Sequence, residues 1–264
     1  MAREIIKPRT GFSGLHELVG RINTEDVIEL LRLCYFPLTN LSLTLSDSEW
    51  VTGKQYGRLL SEVQDAVVQT KLSTLVIAIE DAPPETDYRV EMEPMHEAAA
   101  VKGHHLSKVL AFPNLEEDLI YSCHGFDIED RTIEEIAKGL PHLSEFMLYS
   151  PRFYLAKPPT TTIKALSYFA MYCPRLLTIR MAFDATNPQP LESSVVEKLA
   201  LNPSQVDRLY IPHSPVGSPK AVASMLSTLF PRLGFINYDT RLPQGTSTWD
   251  AVSALLILTP IVQS

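Results

Sequence analysis

His96-Glu97 opens in the way a zinc-protease helix does, with a metal ligand beside a general base. The second histidine would have to stand at position 100, which is Ala100. His104-His105 pairs two imidazoles, but no Cys or carboxylate lies at ligand spacing, so a solvated helix start is expected. Cys123-His124, with Asp127 and Asp130 close behind, places a thiol beside a base. Adjacency in sequence does not align a nucleophile with its base, and a half-buried turn cysteine is the expectation. No G-x-S-x-G elbow and no G-x-x-x-x-G-K-[ST] phosphate loop occurs, and only 11 glycines are present. These residues point to no catalytic centre, no metal and no cofactor, and a chain without enzymatic activity is expected.

The elements that would have to position any site are written in a recurring pattern. The spacing Leu-x-x-Leu-x-Leu, with apolar exchanges, appears at Leu38/Leu41/Leu43, Leu72/Leu75/Ile77, Leu143/Phe146/Leu148 and Leu176/Ile179/Met181. It appears again at Val206/Leu209/Ile211 and Leu233/Ile236/Tyr238. A further copy, Leu115/Leu119/Tyr121, carries one extra residue, Asp118, which predicts a bulge or a register shift. Helical patterns fill the gaps: Glu25 to Leu33, Gln55 to Val68, His105 to Ala111, Arg131 to Gly139, Ile163 to Tyr172, Ser193 to Leu201 and Ala221 to Leu229. Asn23, Asp130, Thr161 and Ser218-Pro219 are suited to cap their starts. Five strands are introduced by an apolar residue and a proline: Phe36-Pro37, Phe112-Pro113, Leu140-Pro141, Cys173-Pro174 and Phe230-Pro231. Proline ends the helix before it and holds its predecessor extended, so one dipeptide both stops a helix and starts a strand.

One strand and one helix about every 30 residues predicts an α/β leucine-rich-repeat-like solenoid, an irregular horseshoe of about seven repeats spanning residues 1–264 as one domain. No asparagine ladder accompanies it. Residues 80–97 (EDAPPETDYRVEMEPMHE) read as an exposed acidic insertion, and a helix at about 246–258 is expected to close the last repeat. Leu15, Leu18 and Ile22 belong to first helices with no preceding repeat to rest on.

The net charge of −8 and pI near 5.4 disfavour a nucleic-acid groove. The longest apolar stretch, Ala251 to Val262, is interrupted by Ser253, Thr259 and Pro260 and is too short to span a bilayer. Three widely spaced cysteines, Cys34, Cys123 and Cys173, fit buried thiols in a reducing compartment. The first residues carry no secretory signal, so a cytoplasmic or nuclear protein without membrane contact is expected.

Phe112-Pro113-Asn114-Leu115-Glu116, Gly125-Phe126-Asp127-Ile128 and Gly139-Leu140-Pro141-His142-Leu143 resemble the F-box and leucine-rich-repeat-like proteins of basidiomycete fungi. Tyr172-Cys173-Pro174-Arg175-Leu176, Phe230-Pro231-Arg232-Leu233 and Trp249-Asp250-Ala251-Val252 are similar to the same family. The resemblance implies the substrate-binding repeat half of a receptor in an SCF-type ubiquitin ligase. An F-box is not present, the nearest run being Leu31-Arg32-Leu33-Cys34-Tyr35, so a ligase adaptor is an expected partner only if an F-box is supplied upstream. A stand-alone repeat scaffold, or a decayed family copy, is the alternative.

Side chains alternate along a strand, so the residues between the apolar ones face away from the core. One such row is Asn40, Thr74, Glu145, Thr178, Arg208 and Phe235. The second runs Ser42, Val76, Ile120, Met147, Arg180, Tyr210 and Asn237, flanked by Tyr149 and Asp239. Glu145, Met147, Tyr149, Thr178, Arg180, Arg208 and Tyr210 form the expected protein-binding patch on the concave face, being rich in the Tyr, Met and Arg of interface cores. The competing expectation is an ordinary solvated face with Arg180 paired to Glu145.

Overall fold

The computed structural model describes residues 10–11, 14–46, 51–79, 99–122, 124–150, 159–212, 214–238 and 246–258. Eight strands build one wholly parallel sheet: β1 (Glu17–Ile22), β2 (Asn40–Leu45), β3 (Thr74–Ile79), β4 (Glu117–Tyr121), β5 (Glu145–Tyr149), β6 (Thr178–Arg180), β7 (Arg208–Ile211) and β8 (Phe235–Tyr238). Each strand pairs with its neighbours in sequence, so the order across the sheet is the order along the chain. The crossovers that parallel pairing demands are helical: α1 (Thr24–Leu33), α2 (Gly53–Ala66), α3 (Asp130–Gly139), α4 (Ala165–Tyr172), α5 (Ser193–Leu201) and α6 (Pro219–Leu229), with α7 (Thr246–Leu258) following β8. Successive helices lie side by side in one layer.

The apolar residues of each strand and one stripe of each helix meet in a single core. Leu41, Leu75, Phe146, Ile179 and Leu209 are in register across the sheet, and all are buried. From the helices come Val27, Ile28 and Leu31 of α1 and Ile133, Ile136 and Ala137 of α3, at the spacing that gathers residues on one helical face. Burying each Leu or Ile contributes about 1.5–3 kcal/mol.

The apolar-Pro dipeptides make one corner, used four times. Phe112, Leu140, Cys173 and Phe230 are buried, with φ between −112° and −131° and ψ between 65° and 77°. The carbonyl of each accepts from the N–H three residues on, at Leu115, Leu143, Leu176 and Leu233. That turn aims the chain into the next strand and carries the first leucine of the triplet toward the core, fully buried at Leu115, Leu143 and Leu176 and half-buried at Leu233.

No asparagine ladder is needed, because carbonyls at the strand starts do the joining. His16 O accepts from the N–H groups of Thr39 and Asn40, and Thr39 O from those of Ser73 and Thr74. The same pair of bonds repeats from Ser73 O to Asp207 O, the last receiving Gly234 and Phe235. Thr39, Ser73 and Ser144 add hydroxyl donors to the preceding carbonyl, each at 3.0 Å. Every repeat is thereby tied to the one before it through backbone groups, which accounts for register being kept where side chains vary.

Several expectations are corrected. The irregular leucine-rich-repeat-like horseshoe of about seven repeats gives way to an α/β fold on one open, parallel, eight-stranded sheet. The apolar period reports strand–helix alternation, which any parallel α/β sheet shares, and does not report the curvature or class of the sheet. The added strand is β1, which takes Leu18 and Ile22 out of the expected helix and pairs Glu17–Ile22 with Asn40–Leu45. Of the bulge or register shift expected at Asp118, the structure shows the shift: β4 pairs without interruption with β3 and β5, and Asp118 takes the place expected for Leu119 opposite Leu75 and Phe146. Asp118 stands three residues after Leu115, the regular spacing, so the carboxylate takes the inward position and Leu119 and Tyr121 turn outward. The helix expected over His105 to Ala111 is a four-residue turn, Gly103–Leu106, followed by a 3-10 segment, Ser107–Ala111.

Asn23 and Ser218 cap their helices, accepting from Glu25 N and Ala221 N. Asp130 and Thr161 instead bridge neighbouring units. Asp130 accepts from the Thr162 N–H and hydroxyl, both at 2.6 Å, and Thr161 Oγ1 donates to Ile128 O at 2.7 Å. In α7, Trp249 is buried, donates Nε1–H to Ser214 O at 2.7 Å and meets Phe183 edge-on. The acidic stretch 80–97 lies outside the described residues, as does Asp239. No helix among the described residues is long and apolar enough to cross a membrane.

Candidate functional site

Parallel sheets are as a rule covered on both faces. Here the described helices pack on one face only, and the alternate strand residues opposite them, Thr178 excepted, are half-buried or exposed. Strand register sets the rows of this open face. The first row is Glu17, Asn40, Thr74, Glu117, Glu145, Thr178, Arg208 and Phe235. The second contains Ser42, Val76, Leu119, Met147, Arg180, Tyr210 and Asn237.

Aromatic rings and one guanidinium form a continuous stack across five strands. Tyr121 meets Tyr149 edge-on with ring centroids 4.7 Å apart. The Arg180 guanidinium carbon lies 3.5 Å from the Tyr149 ring centre and 5.5 Å from that of Tyr210. Tyr210 in turn lies 5.5 Å from Phe235, which is 46% exposed. Edge-on rings and a cation over a ring face are favourable because the ring face is electron-rich and its edge electron-poor. The stack also limits how the side chains move, so the surface is arranged before anything binds.

Arg180 is the electrostatic centre of the stack. Its Nε is buried with no hydrogen-bond partner, and among the described residues it has no ion pair. The expected Arg180–Glu145 pair is therefore not formed. Arg208 differs, since its Nε lies 3.7 Å from Asp207 Oδ1.

Of the seven residues expected to form the patch, Glu145, Met147, Tyr149, Arg180 and Tyr210 are half-buried and Arg208 is exposed on this face. Thr178 is 3% exposed and presents almost nothing. It sits in register between Glu145 and Arg208, two longer side chains. Tyr121 and Leu119 belong to the face but were expected to point inward, and Ile120, expected outward, is buried. The signal that could have found them is the constant spacing from the corner leucine, which holds even when the slot is filled by Asp118.

The other sequence candidates fall away from this face. His104 and His105 stack with ring centroids 4.0 Å apart, and His105 Nδ1 accepts from the Lys102 N–H at 3.0 Å. Burial, then the neighbouring charges of His104 and Lys102, lower the basicity of His105. No group of three or more His, Cys, Asp or Glu side chains among the described residues could hold a metal. Cys123 and the pair His96-Glu97 lie outside the described residues. Cys34 and Cys173 are buried and free, and burial pushes the Cys173 thiol up to about 12. A pocket of about 30 Å³ opens beyond the ends of β5, β6 and β7, walled by Phe126, Ile128, Leu148, Met181 and Pro212. That is room for about one water.

No family model matches the chain, and no curated protein matches it. Among solved structures it is similar to the crystal structure of phosphoribosyl anthranilate isomerase from Thermus thermophilus. The identity is 12%, over 93% of this chain and 100% of the other, with a TM-score of 0.20. That neighbour is an enzyme, so the comparison lends no support to the expectation of a chain without enzymatic activity, and a likeness at that score carries no reaction, substrate or residue to this one. The leucine-rich-repeat description is replaced by that of a parallel α/β sheet whose described helices cover one face, and neither the family models nor the curated proteins support the F-box or ubiquitin-ligase descriptions.

Proposed function

We propose that this chain is a protein-recognition module that holds a partner on the open face of its sheet, centred on β5, β6 and β7. The observation that carries the reading is the stack Tyr121–Tyr149–Arg180–Tyr210–Phe235. Tyrosine and arginine are enriched among the residues that dominate interface energetics: tyrosine joins a large contact area to a polar tip at low entropic cost, and arginine joins an apolar stem to a planar fork of donors. Met147, in register with Arg180, adds an adaptable apolar contact. Stacking in the free protein lowers the cost of ordering these side chains on association.

The test is affinity capture from host extract with the wild-type chain, a Tyr149→Ser/Tyr210→Ser variant and a Glu135→Ala variant on the helix side. A protein retained in stoichiometric amount by the wild type and by Glu135→Ala, and lost from the double variant, is the expected result. Capture of the same proteins by all three chains would sink the reading.

A further inference from the structure

We infer that the partner seats an aspartate or glutamate side chain on Arg180, in the gap between Tyr149 and Tyr210; this rests on the reading of the open face as a protein-binding surface. The guanidinium is held 3.5 Å from the Tyr149 ring centre, so its plane is set before binding. Stacking engages the face of the group and leaves its N–H groups in need of acceptors, and the structure supplies none: Arg180 has no ion pair among the described residues, and its Nε is buried without a partner. A carboxylate meeting the terminal nitrogens end-on satisfies two donors at once and neutralises the charge. Arg208 offers no equivalent, because Asp207 already lies beside it.

The surroundings decide which anion fits. Glu117 and Glu145 stand on the same face in the adjoining row, with Asp207 beside Arg208, and the chain as a whole carries a net charge of −8. A polyanion such as nucleic acid or an acidic membrane would bring many charges against these carboxylates, and a single acidic side chain brings one. On either side of Arg180 the face is aromatic or apolar, at Tyr149, Tyr210 and Met147. The matching ligand is thus an extended protein segment with one acidic residue flanked by apolar ones.

A displayed random-peptide library selected on the wild-type chain tests this, with the selected peptides then synthesised and measured on wild type, Arg180→Gln, Arg180→Lys and Tyr149→Ser/Tyr210→Ser. The expected result is a shared Asp or Glu whose exchange for Asn or Gln weakens binding by about tenfold or more. Arg180→Gln should cost a similar factor, with no further loss when both changes are combined, and Arg180→Lys should fall between. Thermal melting of each variant separates lost binding from lost folding. Peptides that need Tyr149 and Tyr210 but share no acid, or that bind Arg180→Gln as well as wild type, would overturn the inference and leave the protein-recognition reading standing. Peptides indifferent to Tyr149 and Tyr210 would overturn both. Binding to phosphatidylserine vesicles that is lost in Arg180→Gln would assign the site to a lipid surface and refute the acidic segment.

Discussion

Asp118 of β4 lies opposite Phe146 of β5 in the parallel ladder, in the row that is otherwise Leu41, Leu75, Ile179 and Leu209. It is 1% exposed, and its Oδ1 has no hydrogen-bond partner. An acid in an apolar row keeps its proton, and burial pushes this carboxyl from 3.8 up to about 7.

A stability profile that falls with pH follows from that placement. Below about pH 4 both folded and unfolded chains hold the proton, and the carboxyl carries no charge to bury. As pH rises the unfolded chain releases its proton first, so the stability present at low pH is lost progressively until the folded carboxyl ionises near pH 7. The rise from 3.8 to about 7 is worth about 4 kcal/mol in all, of which about 2–3 kcal/mol falls between about pH 5 and pH 8. Urea denaturation at those two values should show a steeper loss for wild type than for Asp118→Leu. Parallel losses in the two proteins would show that Asp118 is not the group responsible.

The stack of Arg180 on Tyr149 has a coupling energy that a double-mutant cycle can read. With Arg180→Gln, Tyr149→Leu and the pair, the cycle should return about 0.5–2 kcal/mol of favourable interaction in the free chain. A value of zero would mean that the two side chains are held by their strands and not by one another.

Cys173 closes one of the four repeated corners, with its Sγ 3.5 Å from Ala137 O and 3.6 Å from Leu140 O. Its thiol, raised to about 12, holds essentially no thiolate near neutral pH. Iodoacetamide on the native chain should leave the Cys173 peptide unmodified, and prior unfolding in urea should make it react fully. Rapid native alkylation, read by peptide mass spectrometry, would contradict the burial.

Leu143 and Leu176 follow the corners at Leu140 and Cys173 and are completely buried. Either Leu→Ala exchange should cost about 2–5 kcal/mol, since the cavity left behind adds to the lost transfer energy. The exposed Leu201→Ala should change stability by less than about 0.5 kcal/mol. Chemical denaturation of the three variants gives the comparison, and similar losses at all three would reject the assigned core.

Gly217 approaches the preceding unit so closely that a Cβ would lie 1.9 Å from Thr186 O, and its N–H donates to Ala185 O at 3.0 Å. Gly217→Ala should therefore lower the melting temperature by forcing that bridge apart, whereas Gly234→Ala, whose Cβ would lie 3.9 Å from Arg232 O in ordinary contact, should move it far less. Equal shifts would show that the close approach does not constrain the fold.

Strand–helix alternation, the positions of most helices and the four corners were legible in the chain. They depend on local rules: apolar spacing, capping residues and the extended conformation that proline imposes on its predecessor. Seven of the expected helices, the closing one included, start and end within two residues of those observed. Reading inward and outward positions from hydrophobicity failed only in β4, where Asp118 fills an inward slot and Leu119 faces out. Nothing local marks a buried acid, because its tolerance depends on what surrounds it after folding. The same limit applies to β1, whose residues 17–22 alternate too weakly to be separated from a helix until β2 is beside them. The single patch residue lost to burial, Thr178, lies in register between Glu145 and Arg208 of strands some 30 residues away on either side. Amino-acid order thus determined the local path of the chain and the rows its side chains occupy. Only the assembled sheet decided that Tyr149, Arg180 and Tyr210 stack into one surface and that Arg180 is left without an acceptor, since stacking and pairing depend on distances between residues about 30 apart in sequence.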